Sequence, residues 1–388
     1  MSKGGDQRDR ERRMKARLES GYGLTSGPLP NMNSDEAKRF IQNLRGALRE
    51  CQKDLEDAER RASIQANIRK EIMRLRDTDP EPPKWVLNPT KEAKHGPGIP
   101  TLLASDFHWG EVVDPKQVAG ANEFNLRIAR QRARVLVERT INLCTRHMVQ
   151  PSYPGIVFAL GGDMVSGDIH EELSETNELP MGPVLLDLYG VLIWCIETLA
   201  STFGRVYVPA VTGNHGRMTR KPRMKNRAGT SFDWILYALL ERHFEKDHRI
   251  SFQVATAADA SYKVMGHAYL LSHGDQFRGG DGQVGALGPI LRGDLRKRTR
   301  NGQIDSSYQT LLLGHWHQYT HMERVIVNGS LKGYDEYAYG NNFGYEVARQ
   351  ALFFTHPDHG ITFACPVILQ DNPFRKPDKK DCVFGRVK

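Results

Sequence analysis

Five places along the chain set Asp, Asn or His directly after a short apolar run. They are Asp106 and His108 in Ser-Asp-Phe-His, Asp163 in Gly-Gly-Asp, Asn214 and His215 in Gly-Asn-His, His273 in Ser-His-Gly-Asp, and His315 and His317 in Gly-His-Trp-His. Glycine or a small residue flanks each one, so the chain turns at once and presents a polar side chain at the end of a buried strand. An Asp-x-His or His-x-His pair at a strand end is expected to put both side chains on one side, because strand side chains alternate with period two. Carboxylate and imidazole without nearby thiol suit Mn2+, Fe or Zn2+ and disfavour a structural zinc site. Asp163, which closes the run Ile156 to Leu160 after two glycines, is the expected centre of the set.

The elements that must carry these residues can be read from periodicity. Strands are expected at 101–105, 155–160 and 205–211, with amphipathic helices at 122–148, 184–203 and 232–244, an alternation that signals β-α-β layering. The second half changes character. Strands are expected at 251–256, 261–271, 310–313, 325–328 and 351–369 with few long helices between them, so two stacked sheets are needed, one of them largely antiparallel. The catalytic domain is therefore placed at 101–370, with a short tail at 371–388.

Ahead of it, residues 1–33 are too polar and charged to offset the entropy of ordering and are expected to be disordered. A long helix is expected over 34–76, within a segment ending at 78, with Ile41, Leu44, Leu48, Cys51, Leu55, Ala58 and Ala62 forming a stripe at spacings of three and four. The stripe shifts after Ala62, so the helix either docks on its own domain or forms a homodimer or partner contact. Residues 79–100, opening with Asp79-Pro80-Glu81-Pro82-Pro83, read as a Pro-rich linker.

Composition narrows the setting. The chain has 388 residues, 39% hydrophobic and 26% charged, as in an ordinary globular protein, but its formal charge of +8 favours a polyanionic partner. Its five cysteines are scattered and never spaced Cys-x-x-Cys, so neither a disulfide framework nor a zinc knuckle is expected, and a cytoplasmic location fits best. The first twenty residues lack the apolar core of a signal peptide. The stretch 183–200 is interrupted by Asp187 and Glu197 and reads as a buried helix, with no membrane partner.

Taken together, Asp106-x-His108, Gly162-Asp163, Gly213-Asn214-His215, His273 and Gly314-His315-x-His317 make the chain resemble the calcineurin-like metallophosphoesterase superfamily over about 101–330. The resemblance implies an α/β fold, a four-layer α/β/β/α sandwich, with two divalent metal ions at the strand ends. Mn2+ is favoured, with Fe, Zn2+ or Mg2+ as alternatives. By motif, Asp106, His108 and His317 would bind the first metal, Asn214, His273 and His315 the second, and Asp163 both. Two cations about 3.5–4 Å apart can share one carboxylate and one water, lower the pKa of that water and aim it at phosphorus. His215 would donate a proton to the leaving oxygen or stabilise its charge. The sequence departs from the phosphoprotein phosphatase branch, since Ser166 and Gly167 stand where that branch has Asp and Arg.

The substrate is read from charge. Arg217, Arg220, Lys221, Arg223, Lys225 and Arg227 follow the third motif without an acidic residue among them. A second run, Arg292, Arg296, Lys297, Arg298 and Arg300, lies between the fourth and fifth motifs. Phosphate neutralisation beside the scissile bond is what a nuclease needs. Phe107, Trp109, Phe277 and Trp316 are candidate base-stacking or rim-packing residues. The expectation is a metal-dependent phosphodiesterase acting on nucleic acid, DNA favoured, similar to SbcD-like repair nucleases. The alternatives are a phosphoesterase for a small nucleotide or phosphomonoester, and a DNA-binding or assembly protein with a degenerate site.

Overall fold

Apolar runs that do not alternate, such as Ile-Val-Phe-Ala-Leu at 156–160, need cover on both faces, and the whole architecture answers that need. The computed structural model describes residues 82–87, 98–148, 153–169, 171–219, 221–278 and 287–371, with Gly46, Gly96 and Gly285. In chain order the elements are α1 (Lys84–Leu87), β1 (Ile99–Ala104), α2 (Leu126–Arg146), β2 (Ile156–Leu160), α3 (Glu171–Thr176), α4 (Met181–Phe203), β3 (Val206–Ala210) and α5 (Phe232–His243). There follow β4 (Ile250–Val254), β5 (Asp259–Val264), β6 (His267–Ser272), α6 (Leu287–Gln303), β7 (Thr310–Leu313), β8 (Thr320–Met322), β9 (Val325–Val327), α7 (Glu336–Gly340), β10 (Arg349–His356) and β11 (Gly360–Ile368).

The described strands form two sheets, ordered β11-β10-β1-β2-β3-β4 and β5-β6-β7-β9-β8. In the first, β1 to β4 are parallel and β10 and β11 antiparallel. In the second, β6, β7 and β9 are parallel between antiparallel edges. Val157, Ala159 and Tyr207 of the first sheet share one core with Leu271, Leu312 and Ile326 of the second. Their alternates Leu270, Leu311, Leu313 and Val325 face the other way, into a second core that includes Ile290 of α6. Helices α2, α4 and α5 lie on the outer side of the first sheet. Four layers result, α/β/β/α.

Helix α2 starts where Asn125 accepts the Ile128 N–H at 3.0 Å, satisfying a donor the first turn leaves open. Helix α4 has the length and apolar composition of a membrane span, yet Val184, Leu188, Leu192, Ile196 and Leu199 are buried. Its Asp187 is engaged by Trp109 and Arg130.

The structure corrects the sequence reading at four places. The expected strand 261–271 is a hairpin, β5–β6, turning at Met265 and Gly266 with φ of 50° and 86°, the backbone of a two-residue primed turn. The expected strand 351–369 is likewise the pair β10–β11, broken after His356 where Pro357 cannot donate to a ladder. The second half also holds a long helix, α6, hidden in the sequence by Gly288, Pro289, Gly293 and Gly302. Within the expected linker, Val86 is fully buried and its carbonyl accepts the Met265 N–H at 2.7 Å, so α1 is part of the core. The tail 1–33, the expected helix over 34–76 apart from Gly46, and the segment beyond 371 lie outside the described residues.

Val86→Ala is expected to lower the unfolding free energy of the full chain by about 1–3 kcal/mol, from lost apolar burial and the cavity left behind. Urea unfolding followed by fluorescence measures it; an unchanged midpoint and slope would show that α1 does not belong to the core.

Candidate metal centre

All five polar turns leave the carboxyl ends of parallel strands: β1, β2 and β3 in one sheet, β6 and β7 in the other. That geometry gathers the turns at one edge of the sandwich, the usual place for a site in parallel sheets. Asp106, His108, Asp163, His315 and His317 all have positive φ, between 48° and 70°. Such backbone is uncommon outside glycine and persists only where the surroundings impose it. Here the turns brace one another. Asp106 N–H donates to the Gly162 carbonyl and His108 N–H to the Asp163 carbonyl, at 3.0 and 3.1 Å. The Asp106 carboxylate accepts the His315 N–H at 2.9 Å, and that of Asp163 accepts the His215 N–H at 2.7 Å. Gly162, with φ of 89°, packs so closely on Gly213 that an added Cβ would lie 2.4 Å from its nitrogen. Gly167 leaves similar room for the His215 carbonyl, so no side chain fits there.

The side chains converge in overlapping groups whose ligand atoms lie within 4.8 Å of one another: Asp106, His108 and His317; Asp163, His273 and His315; and His108, Asp163 and His215. His315 and His317 thus fall into different groups. The period-two expectation fails for them because both sit in left-handed turns beyond β7, and Asp106 and His108 meet through a turn as well. His108 and His317 face each other through Nε2 at 3.0 Å, and His317 Nε2 is 3.3 Å from Asp106. His273 Nδ1 donates to the Gly161 carbonyl at 2.9 Å. Its Nε2 lies 2.9 Å from Asp163 Oδ2 and 3.1 Å from Asn214 Oδ1. The sequence-predicted ligands Asp106, His108, Asp163, Asn214, His273, His315 and His317 are therefore brought together, with His215 beside them.

Electrostatics agrees with a cation-binding role. Burial alone would raise Asp163, but His273, His215 and His108 outweigh it and hold the carboxylate well below its usual range. Burial would lower His273, yet Asp163 and Asp106 push it up to about 10. Burial leaves His108 at about 3 and His315 at about 4, so both are neutral donors. Two ionised buried carboxylates need compensating charge. The proton on His273 Nε2 supplies part of it, and a divalent cation displacing that proton would supply more, so the donor set fits metal ions.

Several residues that order this site escaped the sequence reading. The Asp233 carboxylate accepts the backbone N–H groups of Asp163, Met164 and Gly213 at 3.0, 3.2 and 2.9 Å, joining the second and third turns. Burial and the nearby Asp163 raise it to about 6. Glu111 lies 3.2 Å from Nδ1 of the neutral His108, close but poorly aligned for a hydrogen bond. Lys332 binds Glu111 at 2.8 Å and Asp335 at 2.5 Å, all within the protein interior. An acid in the first turn of a helix reads as ordinary capping, which is why Asp233 gave no functional signal. Glu111 is 221 residues from Lys332, too far in sequence to show its contact with the Lys332–Asp335 pair.

The expected nucleic-acid contacts divide. Lys221, Arg223, Lys225 and Arg296 are exposed, and Arg220 lies outside the described residues. Arg217 is half-buried and donates to the Asn214 carbonyl at 3.0 Å. Arg227 is committed to Asp275 through two bonds of 2.7 and 2.8 Å. Lys297, only 4% exposed, is bound by Asp259 at 2.6 Å, and Arg298 by Asp294 at 2.7 Å. These three cations hold the fold together and do not present charge to a ligand. Of the aromatics, Phe107, Trp109 and Phe277 are buried, which removes them as stacking surfaces, while Trp316 is half-exposed with its ring edge-to-face on His315.

No protein-family model matches the sequence, and no curated protein matches it. Among solved structures, the chain is similar to Vps29 from Entamoeba histolytica complexed with Zn2+, at 15% identity and a TM-score of 0.30, covering 70% of this chain and 100% of that one. It is similar to a predicted phosphoesterase from Streptococcus pneumoniae TIGR4, at 10% identity and 0.25, covering 69% and 96%. A putative 5'-nucleotidase from Staphylococcus aureus in complex with alpha-ketoglutarate matches at 12% identity and 0.33, covering 73% and 56%. TM-scores this low leave the chemistry to rest on the chain's own residues.

Glu111→Gln is expected to weaken divalent-metal binding about 10- to 100-fold, because an outer carboxylate orients the histidine it faces. Calorimetric titration with Mn2+ measures this, and unchanged affinity would remove Glu111 from the centre.

Proposed function

We propose that the protein is a phosphoesterase with two divalent metal ions that hydrolyses nucleic-acid phosphodiester bonds. The observation that carries this reading is the position of Asp163, whose carboxylate belongs at once to the His273–His315 group and to the His108 group. A carboxylate so placed suits bridging of two cations, with Asp106, His108 and His317 on one side and Asn214, His273 and His315 on the other. The cations would polarise the phosphoryl group and activate water, with Mn2+ the favoured ion.

The chain's own residues do the rest. His215 donates Nδ1–H to the Ser166 carbonyl at 2.8 Å, a tautomer assigned from that partner, which fixes the ring beside Asp163. Burial lowers its pKa, against the opposing pull of Asp163 and Glu111, and its proposed role beside Asp163 is to donate a proton to the leaving oxygen or stabilise its charge. Lys221, Arg223 and Lys225, exposed on the chain that follows His215, supply the phosphate contacts of a polyanion.

A second reading, a phosphoesterase for a small nucleotide or phosphomonoester, draws on a specific observation. Arg227, Lys297 and Arg298 are held in ion pairs, leaving fewer cations for a long strand. Charge reversal at Lys221, Arg223 and Lys225 separates the two, since a nuclease should lose salt-sensitive DNA binding.

With Mn2+, purified protein is expected to cleave DNA and Asp163→Asn to lose that activity. Intact single- and double-stranded DNA and RNA alongside hydrolysis of a small phosphoester would move the assignment to the second reading. His215→Ala should retain metal but hydrolyse esters with poor leaving groups about 10²- to 10⁴-fold more slowly. An unchanged rate on such esters removes the proton-transfer role.

A further inference from the structure

We propose that Tyr337 and Phe343 form a stacking surface for an unpaired nucleobase next to the phosphoester held at the metal centre. The inference rests on the phosphodiesterase reading and names the part of the substrate that lies beside the scissile bond.

The excursion 334–346 is tied to the site at both ends. Immediately before it, Leu331 N–H and Ser330 Oγ donate to the Asp106 carbonyl at 3.1 and 3.0 Å. Arg132 of α2 and Asn122 bind the carbonyls of 331, 332 and 334 and fix the path. Asp335 then acts twice: one oxygen holds Lys332, which binds Glu111 beside His108, and the other caps α7 by accepting the Ala338 N–H at 2.7 Å. At the far end the Glu346 carboxylate accepts the N–H of Tyr319 at 2.8 Å, two residues beyond His317. The excursion is a rim built on the turns that carry His108 and His317.

Its side chains are unlike those elsewhere around the site. Tyr337 is 70% exposed, Phe343 50% and Tyr339 48%, whereas Phe107 and Trp109 are fully buried. Tyr337 and Phe343 meet edge-to-face with centroids 5.9 Å apart, and the Phe343 N–H donates to the Ala338 carbonyl at 2.9 Å, which fixes the turn that brings the two rings together. Rings ordered before contact lose little entropy on stacking. Charge decides what they contact. Asp335 and Glu346 are ion-paired with Lys332 and Arg349, and residues 333–348 contain no Lys or Arg of their own, so the segment offers phosphate no cation. An uncharged, planar group suits it, and a base splayed from a single strand is that group. The exposed cations Lys221, Arg223 and Lys225 sit on a different turn and take the phosphates.

The test is equilibrium binding of full-length protein to a phosphorothioate single strand carrying 2-aminopurine, and to the same strand made abasic at the probe position. Wild type should bind the base-bearing strand at least about five-fold tighter. Tyr337→Ala/Phe343→Ala should lose that preference, and Tyr337→Phe/Phe343→Tyr should keep it, which separates stacking from misfolding. A preference that survives in the alanine variant, or is missing from wild type, overturns the proposal. Hydrolysis of bis(4-nitrophenyl) phosphate by wild type, measured in parallel, reports on the phosphoesterase reading alone. Base preference without hydrolysis keeps the rim and removes that reading; hydrolysis without preference does the reverse. Competition by a nucleoside monophosphate at the strand's affinity assigns the rim to a free nucleotide, and competition by the strand alone assigns it to a polymer, the stacking role standing in both.

Discussion

The structure turns on a buried pair of carboxylates, Asp106 and Asp163, in overlapping clusters with five imidazoles, those of His108, His215, His273, His315 and His317. Like charges taken out of water repel and lose hydration together, so the chain must surround them with donors or with cations. It does both. Backbone N–H groups from neighbouring turns bond each carboxylate, and His273 stands against Asp163 with its remaining nitrogen tied to Gly161. The left-handed backbone at five candidate ligands is the conformational cost of that packing, about 1–3 kcal/mol each, and two sheets with helices outside them supply the rigidity that sustains it.

Support for the candidate ligands reaches outward in two directions. Through Asp233 it joins the second and third turns to the start of α5. Through Glu111, Lys332 and Asp335 it runs from His108 to the cap of α7, where the exposed aromatic rim begins. A charge network near the candidate ligand His108 thereby also sets the position of a surface segment. Cations that sequence alone assigns to a substrate, Arg227, Lys297 and Arg298, belong instead to this structural economy, while Lys221, Arg223 and Lys225 remain open to solvent.

Much of the site was legible because it is local: Gly162-Asp163 or Gly213-Asn214-His215 shows a candidate ligand and the small residue that lets the turn close, within three positions. The parallel strands were legible too, as apolar runs too continuous to face water. What stayed hidden depends on contacts distant in sequence or on unusual turns. Met265 in a left-handed turn gave no Asn-Gly signal, so β5 and β6 merged into one expected strand. Glycines and a proline masked α6. Most tellingly, two residues apart along the chain did not mean one side in space for His315 and His317, since neither is in extended backbone.

The most direct test of the central claim, that Asp163 joins two cation sites, is anomalous diffraction at the manganese edge from crystals grown with Mn2+. Two peaks about 3.5–4 Å apart are predicted, both touching Asp163, one shared with Asp106, His108 and His317 and the other with Asn214, His273 and His315. A single peak, or peaks that leave Asp163 without a metal neighbour, would contradict it.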